Sequence, residues 1–344
     1  MKIDLMAHPM TWDGTATAAQ ELEALGFSGM LFTEAVQVPW MSIAAAARAT
    51  TTLELSTGIA VAFPRSPMIS AQVAWELARE TRGRFRLGIG SQVKGHVTRR
   101  YSSLFDKPAA QMRDYVQAFR ACIVAFRREA KLHHEGPYYP MNLLPREFAP
   151  ARHDYEDIKL DISAVGPLMC RLAGELADGL HVHPMHSLHY IHNRLLPAVA
   201  KGAELAGRDA AEIDLIVPAF AVAGDSPEER APMLERARMQ VAFYGSTPNY
   251  DFQFDDLGYT GTTQTLNELM RKGDSAAMAA QISDEMLEHF VVVGRWDDIA
   301  DQLIERYRGI ASRLAMYLTA EAMHRNPATA PKWGEVARAV LKAP

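Results

Sequence analysis

Several features that mark other classes of protein are scarce or absent in this sequence. Only two cysteines occur, Cys122 and Cys170, and both lie in apolar stretches, which excludes a disulfide framework and is typical of the reducing cytoplasm. No run of about 18 apolar residues and no secretory leader pattern is found, so we expect a cytoplasmic chain without a membrane partner. The formal net charge of −5 also argues against nucleic acid as a partner.

Short apolar runs alternate with amphipathic stretches along the chain. The apolar runs predict strands over 2–7, 28–33, 53–62, 85–89, 158–163, 179–183, 213–222 and 313–318. The stretches between them predict helices over 15–25, 39–50, 68–81, 107–130, 167–177, 187–206, 227–243 and 295–309, with a tail helix over 332–342. This alternation indicates parallel βαβ units, and eight of them favour an α/β fold of the (β/α)8 TIM-barrel type, formed by residues 1–344 as a single domain. An open doubly wound sheet is the alternative, but no GxGxxG motif follows the first strand.

Two stretches do not fit a minimal barrel. Residues 131–156 carry four prolines and show no clear period, and residues 244–287 read as a loop followed by short helices. Long insertions in a compact domain are often lids or interface elements. We therefore expect these insertions to lie where they can cover the carboxyl-terminal mouth of the barrel.

The segment 53–95 indicates where the chemistry should lie. It reads as a strand, a loop, a helix that opens at Ser66-Pro67 and a second strand that ends on Gly90-Ser91-Gln92. Loops at the carboxyl ends of parallel strands build the sites of α/β barrels. Gly58 lies inside the first of these strands, where a glycine often marks a bulge or a close backbone approach. Gly166 opens a helix directly after a strand, which favours an anion site.

Three segments, in order, resemble one known family. They are GFSGMLFTEAVQVPW, STGIAVAFPRSPMISAQVAWELARETRGRFRLGIGSQVKGH and AVGPLMCRLAGELADGLHVHP. They are similar to the bacterial luciferase-like superfamily of flavin and deazaflavin oxidoreductases, and most similar to its coenzyme F420-dependent branch. The resemblance covers most of the chain, from Lys2 to about Leu318.

The resemblance implies a set of cofactor-binding residues. In relatives the dipeptide matching Gly58-Ile59 is a bulge with a non-prolyl cis peptide behind the deazaflavin ring, and the loop at Val165-Gly166 binds the cofactor phosphate. Relatives also place polar or basic residues at 183–186 against the phosphate or polyglutamate part, so His183 and His186 are candidates. Lys94, Arg99 and Arg100 are candidates for the same acidic tail. The predicted cofactor contacts are Glu34, Thr57, Gly58, Ile59, Gly90, Ser91, Gln92, Val165, Gly166 and His183.

Glu34 and His8 are the candidate catalytic residues, because each stands at the carboxyl end of a predicted strand. Glu34 is expected either to anchor the cofactor or to act as a general acid or base, with a salt bridge at the barrel rim as the structural alternative. Relatives often place a histidine after this acidic residue and an acidic residue at the position of Val93. This chain has Ala35 and Val93, which puts an acid–base pair in doubt. Trp12 and Trp40 are predicted to line the substrate pocket.

The function implied by the resemblance is hydride transfer between a small organic substrate and F420, by a homodimer or higher homo-oligomer. An FMN-dependent monooxygenase that uses O2 is one alternative. A second is a metal-dependent TIM-barrel hydrolase, because His181 and His183 share a strand face and HxH is a metal-ligand pattern, although we predict no metal site. A third is a family member that has lost catalysis.

Overall fold

The alternation of apolar and amphipathic stretches gives an α/β protein. The structure is a computed structural model that describes residues 1–343. Its strands are Lys2–Met6 (β1), Gly29–Phe32 (β2), Glu54–Thr57 (β3), Ala60–Val61 (β4), Phe85–Gly90 (β5), Leu160–Ala164 (β6), Gly179–Val182 (β7), Asp214–Ala223 (β8), Val291–Gly294 (β9) and Arg313–Met316 (β10). Its α-helices are Trp12–Leu25 (α1), Pro39–Ala49 (α2), Pro67–Glu80 (α3), Pro108–Phe126 (α4), Pro167–Leu176 (α5), Leu188–Tyr190 (α6), Leu196–Leu205 (α7), Pro227–Gly245 (α8), Phe252–Asp255 (α9), Thr262–Lys272 (α10), Ser275–Ala280 (α11), Asp284–Glu288 (α12), Ile299–Tyr307 (α13), Thr319–Arg325 (α14) and Ala330–Lys342 (α15).

The strands close into a parallel barrel, which confirms the predicted fold class. β10 pairs with β1 on one side and with β8 on the other, so the barrel sheet closes on itself. β3 and β4 are two halves of one predicted strand, separated by a cis peptide bond between Gly58 and Ile59. Counting them once, eight strands form the barrel.

The short strand β9 was not predicted, and it lies outside the barrel. β8 is ten residues long; Ile216–Ala219 pair with β10, whereas Phe220–Ala223 pair with β9. The outer half of β8 therefore leaves the barrel sheet and carries an extra strand at the carboxyl-terminal side. A four-residue run such as VVVG has too few residues for its period to separate strand from helix.

The amino-terminal end of the barrel interior is charged. Arg313 binds both carboxylate oxygens of buried Asp4 at 2.6 Å and also binds Glu54 at 2.5 Å. The Arg86 guanidinium likewise donates hydrogen bonds to buried Asp161 and to Asp214. Above this layer Met6, Leu31, Ile216 and Ala315 form an apolar cluster, and His181 also lies inside the barrel. The interior is thus filled, and a ligand can enter only from the carboxyl-terminal mouth.

The main hydrophobic core lies between the strands and the surrounding helices, and residues 131–156 pack on the outside of that layer. Asp114 on α4 accepts hydrogen bonds from Tyr138 and Tyr139, and the Trp75 indole on α3 donates to the Ala151 carbonyl at 3.0 Å. These contacts hold the insertion against α3 and α4, and its covering of the mouth stays a prediction.

The second insertion has a small core of its own. Apolar side chains of α8, α10, α11 and α12 pack together with Phe220 and Val222 on the outer half of β8, and Met185 after β7 joins them. This segment therefore lies beside the mouth, next to β7, β8 and β10. No helix within residues 1–343 combines the length and apolar character that a membrane crossing needs.

Candidate active site

Glu34 follows β2 at the carboxyl-terminal mouth, and its carboxylate is fully engaged. It is buried, with one oxygen 2.5 Å from Arg65 and the other accepting hydrogen bonds from Arg65 at 2.7 Å and from the Val61 amide at 2.8 Å. Its own amide donates to the Ile59 carbonyl. Arg65 in turn lies over the Trp40 ring at 5.6 Å. The geometry is that of an anchor which fixes β4 and the following loop, and a catalytic role for Glu34 stays a prediction.

Glu34→Gln is expected to lower the free energy of unfolding by about 2 kcal/mol, because both Glu34 oxygens accept from N–H donors whereas glutamine has one acceptor oxygen, and because Arg65 loses its counter-ion. Urea denaturation measures this loss. Glu135→Gln is the matched control, since that side chain is highly exposed, and its effect should stay within about 0.5 kcal/mol. If Glu34→Gln proves as stable as the control but loses one limb of its pH–rate profile, the anchoring role is wrong and the catalytic one is supported.

The bulge between β3 and β4 contains the cis peptide predicted for Gly58-Ile59. Thr57 is buried, and its hydroxyl donates to the Gly88 carbonyl at 2.6 Å and accepts from the Gly88 amide at 2.8 Å, so its side chain bridges β3 and β5. The Gly58 carbonyl accepts a hydrogen bond from the Thr33 hydroxyl at 2.8 Å. Thr57 thus positions the bulge, and contact of Thr57, Gly58 and Ile59 with a cofactor stays a prediction.

The loop after β5 begins with the predicted contact residues Gly90, Ser91 and Gln92. Gly90 is buried, Ser91 and Gln92 are half-buried, and Gln92 adopts a left-handed conformation with φ of 60°. The loop continues through Lys94 into a π-helical turn, His96–Arg100. None of the ion pairs within residues 1–343 involves Lys94, Arg99 or Arg100, so this loop offers uncompensated positive charge at the mouth.

Gly166 is the amino-terminal cap residue of α5 and has no side-chain cap, while Pro167 follows at the first helical position. A side chain added at Gly166 would meet no atom within 4 Å, so the helix end faces open space. The Val165 carbonyl before it accepts a hydrogen bond from the Tyr190 hydroxyl at 2.7 Å, which fixes the loop. An uncapped helix N-terminus that opens to solvent at the mouth fits an anionic group.

The remaining predicted residues lie at the β1 and β2 side of the mouth. His8 is half-buried, its ring is 5.4 Å from that of His324, and burial lowers its pKa. Its Nδ1 atom is buried and has no hydrogen-bond partner. Trp40 is half-buried and Trp12 is largely exposed at the start of α1. The catalytic role of His8 and the pocket roles of the tryptophans stay predictions.

The histidines on and after β7 are uncharged and held by different partners. Burial lowers the pKa of His181 to about 3 and that of His183 and His186 to about 4. His186 lies 2.9 Å from the His183 carbonyl and 3.3 Å from the Tyr307 hydroxyl. His183 lies between the rings of Tyr244 and Tyr250, at 4.8 and 4.6 Å. At neutral pH His183 therefore adds no positive charge for a phosphate.

A comparison with protein families assigns this chain to one of them. A family model described as luciferase-like monooxygenase matches residues 2–313. This chain belongs to the luciferase-like family. It is therefore an oxidoreductase at the general level of that family.

Individual relatives of this luciferase-like protein extend the comparison. An uncharacterized protein of Mycobacterium tuberculosis is 38% identical over 87% of this chain and 88% of its own length. The 5,10-methylenetetrahydromethanopterin reductase of Archaeoglobus fulgidus is 28% identical over 74% of each chain. Among solved structures, the coenzyme F420 dependent tetrahydromethanopterin reductase from Methanopyrus kandleri superposes with a TM-score of 0.75, covering 99% of this chain and 97% of that chain at 19% identity. At that identity the superposition establishes the fold alone.

The histidine-rich segment of the luciferase-like barrel does not assemble a metal centre within residues 1–343. No group of three or more His, Cys, Asp or Glu side chains is placed there to hold a metal ion. β7 ends at Val182, so His183 lies beyond the strand: His181 is 3.7 Å from Asp161 inside the barrel, whereas His183 lies among aromatic rings. The arrangement does not favour the hydrolase alternative, and the family assignment favours an oxidoreductase.

Sequence reasoning missed several residues that shape this luciferase-like mouth. Arg65 was not predicted as the partner of Glu34, although it stands directly before the helix-opening Ser66-Pro67. The tyrosines beside His183 were also missed, because they come from α8, from the insertion and from the end of β10. A local signal existed in the insertion, where YGSTPNY carries two aromatic residues within one short loop. The missed residues are Arg65, Tyr244, Tyr250 and Tyr317.

Proposed function

We propose that this protein is a coenzyme F420-dependent oxidoreductase that transfers a hydride between an organic substrate and the deazaflavin. The observation that carries the proposal is the uncapped N-terminus of α5, which faces open space at Gly166 on the mouth of a luciferase-like barrel. The Archaeoglobus fulgidus reductase, 28% identical to this chain, supports the deazaflavin branch. When bound, the deazaflavin supplies a ring carbon that accepts or releases the hydride.

The residues present fit an anionic cofactor with a long acidic tail. Val165 and Gly166 would receive the phosphate at the helix end, where the backbone amides and the helix dipole favour negative charge. Lys94, Arg99 and Arg100 lack carboxylate partners and would receive the acidic tail. An FMN molecule carries the phosphate but no such tail, so the extra cations favour F420.

The protein's own contribution would be position and exclusion of water. Thr57 bridges β3 and β5, and the Glu34–Arg65 pair fixes β4 beyond the bulge, so the backbone around Gly58 is held from both sides. Fixed backbone groups at the mouth orient a ring without rearrangement during the reaction. The charged and apolar layers below close the bottom of the site.

The alternative is a flavin-dependent monooxygenase that uses FMN and O2, and the description of the matching family favours it. Titration of the purified full chain with F420 and with FMN, followed by absorbance, separates the two proposals. We expect F420 to bind at least tenfold more tightly than FMN. Equal or tighter FMN binding would overturn the deazaflavin proposal in favour of the monooxygenase.

Gly166→Val is expected to weaken cofactor binding at least tenfold, about 1.4 kcal/mol, because a branched side chain would stand where the phosphate approaches the helix end. Stability should fall by no more than about 1 kcal/mol, since the backbone at Gly166 has φ of −79° and no neighbouring atom lies in the way, while valine is a poorer N-cap than glycine. Isothermal titration calorimetry gives the affinity and urea denaturation the stability. Gly166→Ala is the graded control, for which we expect a smaller loss of cofactor affinity. A folded Gly166→Val variant with wild-type affinity would remove α5 from the cofactor site.

A further inference from the structure

Charge is distributed unequally around the mouth. The loop after β5 carries Lys94, Arg99 and Arg100 without carboxylate partners, and the N-terminus of α5 adds the positive end of a helix dipole. The part of the mouth at β7, β8 and β10, which begins beside β6 and α5, carries aromatic side chains instead. The two parts therefore suit ligands of different charge.

The aromatic part is one contiguous group, which we call the aromatic cluster. His183 follows β7, Phe220 lies on β8 and Tyr317 directly follows β10, while α8 and the insertion supply two further tyrosines. Phe220 and Tyr317 are 5.1 Å apart, and the Tyr244 and Tyr317 hydroxyls are hydrogen-bonded to each other. All members except Phe220 are half-buried, so each of them keeps some exposed surface. The cluster consists of His183, Phe220, Tyr244, Tyr250 and Tyr317.

The aromatic cluster keeps hydrogen-bonding capacity for a ligand. In a pair of hydrogen-bonded phenols one hydroxyl donates to the other, so the Tyr244–Tyr317 pair has a second hydroxyl proton to donate, and the Gln240 side chain also lies beside the Tyr317 hydroxyl. His183 accepts a hydrogen bond at Nδ1 from the Met185 amide at 3.1 Å, which assigns its proton to Nε2. The cluster thus offers neutral donors surrounded by ring faces.

The charged side chains packed near the cluster are already paired. Arg236, beside Tyr317, lies 3.2 Å from Glu321, and Arg194 binds both carboxylate oxygens of Asp256. Burial raises the pKa of Tyr244, Tyr250 and Tyr317, so these phenols are neutral at physiological pH. An anionic substrate would lose its hydration there without gaining a counter-ion.

We propose that the aromatic cluster binds the substrate, and that the substrate is a neutral organic molecule with a ring or another flat apolar body and one carbonyl or hydroxyl oxygen. The oxygen accepts a hydrogen bond from the tyrosine pair or from His183 Nε2, and the body lies against the rings. This inference rests on the proposed function, in which substrate and anionic cofactor share the mouth. It moves His183 from the cofactor side, where it was predicted, to the substrate side.

Equilibrium dialysis of the full chain without cofactor tests the inference, with acetophenone as the neutral probe and benzoate as its anionic counterpart. We expect acetophenone to bind at least tenfold more tightly than benzoate. Tyr317→Phe should weaken the binding of acetophenone at least fivefold and leave the binding of ethylbenzene unchanged, because the ring stays and only the hydroxyl is lost. Tyr155→Phe, an exposed tyrosine that packs against Gly83 away from the mouth, is the matched control and should change neither.

Three outcomes would overturn the inference: benzoate binding as tightly as acetophenone, acetophenone binding unaffected by Tyr317→Phe, or F420 affinity reduced tenfold by Tyr317→Phe. The last result would place the cofactor on the cluster. Failure of the proposed function looks different. If neither F420 nor FMN binds while acetophenone binds in the expected order, the cluster stands as a substrate site and the cofactor proposal falls.

Discussion

Replacing Arg313 by methionine is expected to lower the free energy of unfolding by about 3–5 kcal/mol. Arg313 is buried and neutralises Asp4, which is fully buried, and it also binds Glu54. Although burial alone lowers its pKa, Asp4 and Glu54 raise the pKa of Arg313 above its usual value. Methionine fills a similar volume but leaves a buried carboxylate unpaired. Urea denaturation monitored by circular dichroism measures the loss.

Two further variants separate the ion pair from general damage. Arg325→Met removes an exposed arginine that pairs with Glu321, and its effect should stay within about 0.5 kcal/mol. The double variant Asp4→Asn with Arg313→Met removes both charges and should recover part of the stability lost in the single variant. If Arg313→Met costs no more than Arg325→Met, the buried pair does not stabilise barrel closure.

Gly202→Ala is expected to destabilise the protein by about 2–3 kcal/mol. A Cβ atom at Gly202 on α7 would stand 1.9 Å from the Arg171 carbonyl oxygen on α5, and one at Gly174 would stand 2.1 Å from the Val199 carbonyl oxygen. Alanine is intrinsically better than glycine inside a helix by about 1 kcal/mol. Backbone atoms cannot rotate away, so we expect the collision to outweigh this preference.

The same variant should weaken cofactor binding, because α5 carries Gly166 and would be displaced from α7. Thermal denaturation and titration with F420 measure the two effects on one sample. Lys201→Ala, at an exposed neighbouring position on α7, is the control and should change neither. A Gly202→Ala protein that is more stable than wild type would show that helix propensity decides and that the two helices can move apart freely.

The barrel was predictable because its signal is local. Each barrel strand is a short apolar run flanked by an amphipathic helix, and every predicted barrel strand appears within a few residues of its place. The uncapped helix at Gly166 was also predictable, since a glycine and a proline between strand and helix define the boundary. The strand β9 was not, because its partner is the outer half of β8, about seventy residues earlier in the chain.

The site was less predictable because its side chains meet through the fold. Glu34 was placed at the mouth correctly, but its partner Arg65 comes from the loop after the bulge. His183 was predicted to contact the phosphate or polyglutamate part of the cofactor because of its position after β7. Tyr244 and Tyr250, which surround it and leave it neutral, lie about sixty residues further on. The spacing of residues within one segment does not show which aromatic side chains of a distant segment will pack against it in the fold.

The outer half of β8 divides the molecule into parts that can evolve at different rates. The inner half closes the barrel with β10, whereas the outer half supports β9 and the insertion with its own small core. Tyr244 and Tyr250 come from α8 and the insertion, whereas Gly166 and Thr57 belong to the barrel. Substitutions or length changes in the insertion can therefore alter which molecules the mouth admits while barrel closure and the helix end at Gly166 stay intact. The proposed substrate site can in this way change while the proposed cofactor site is kept.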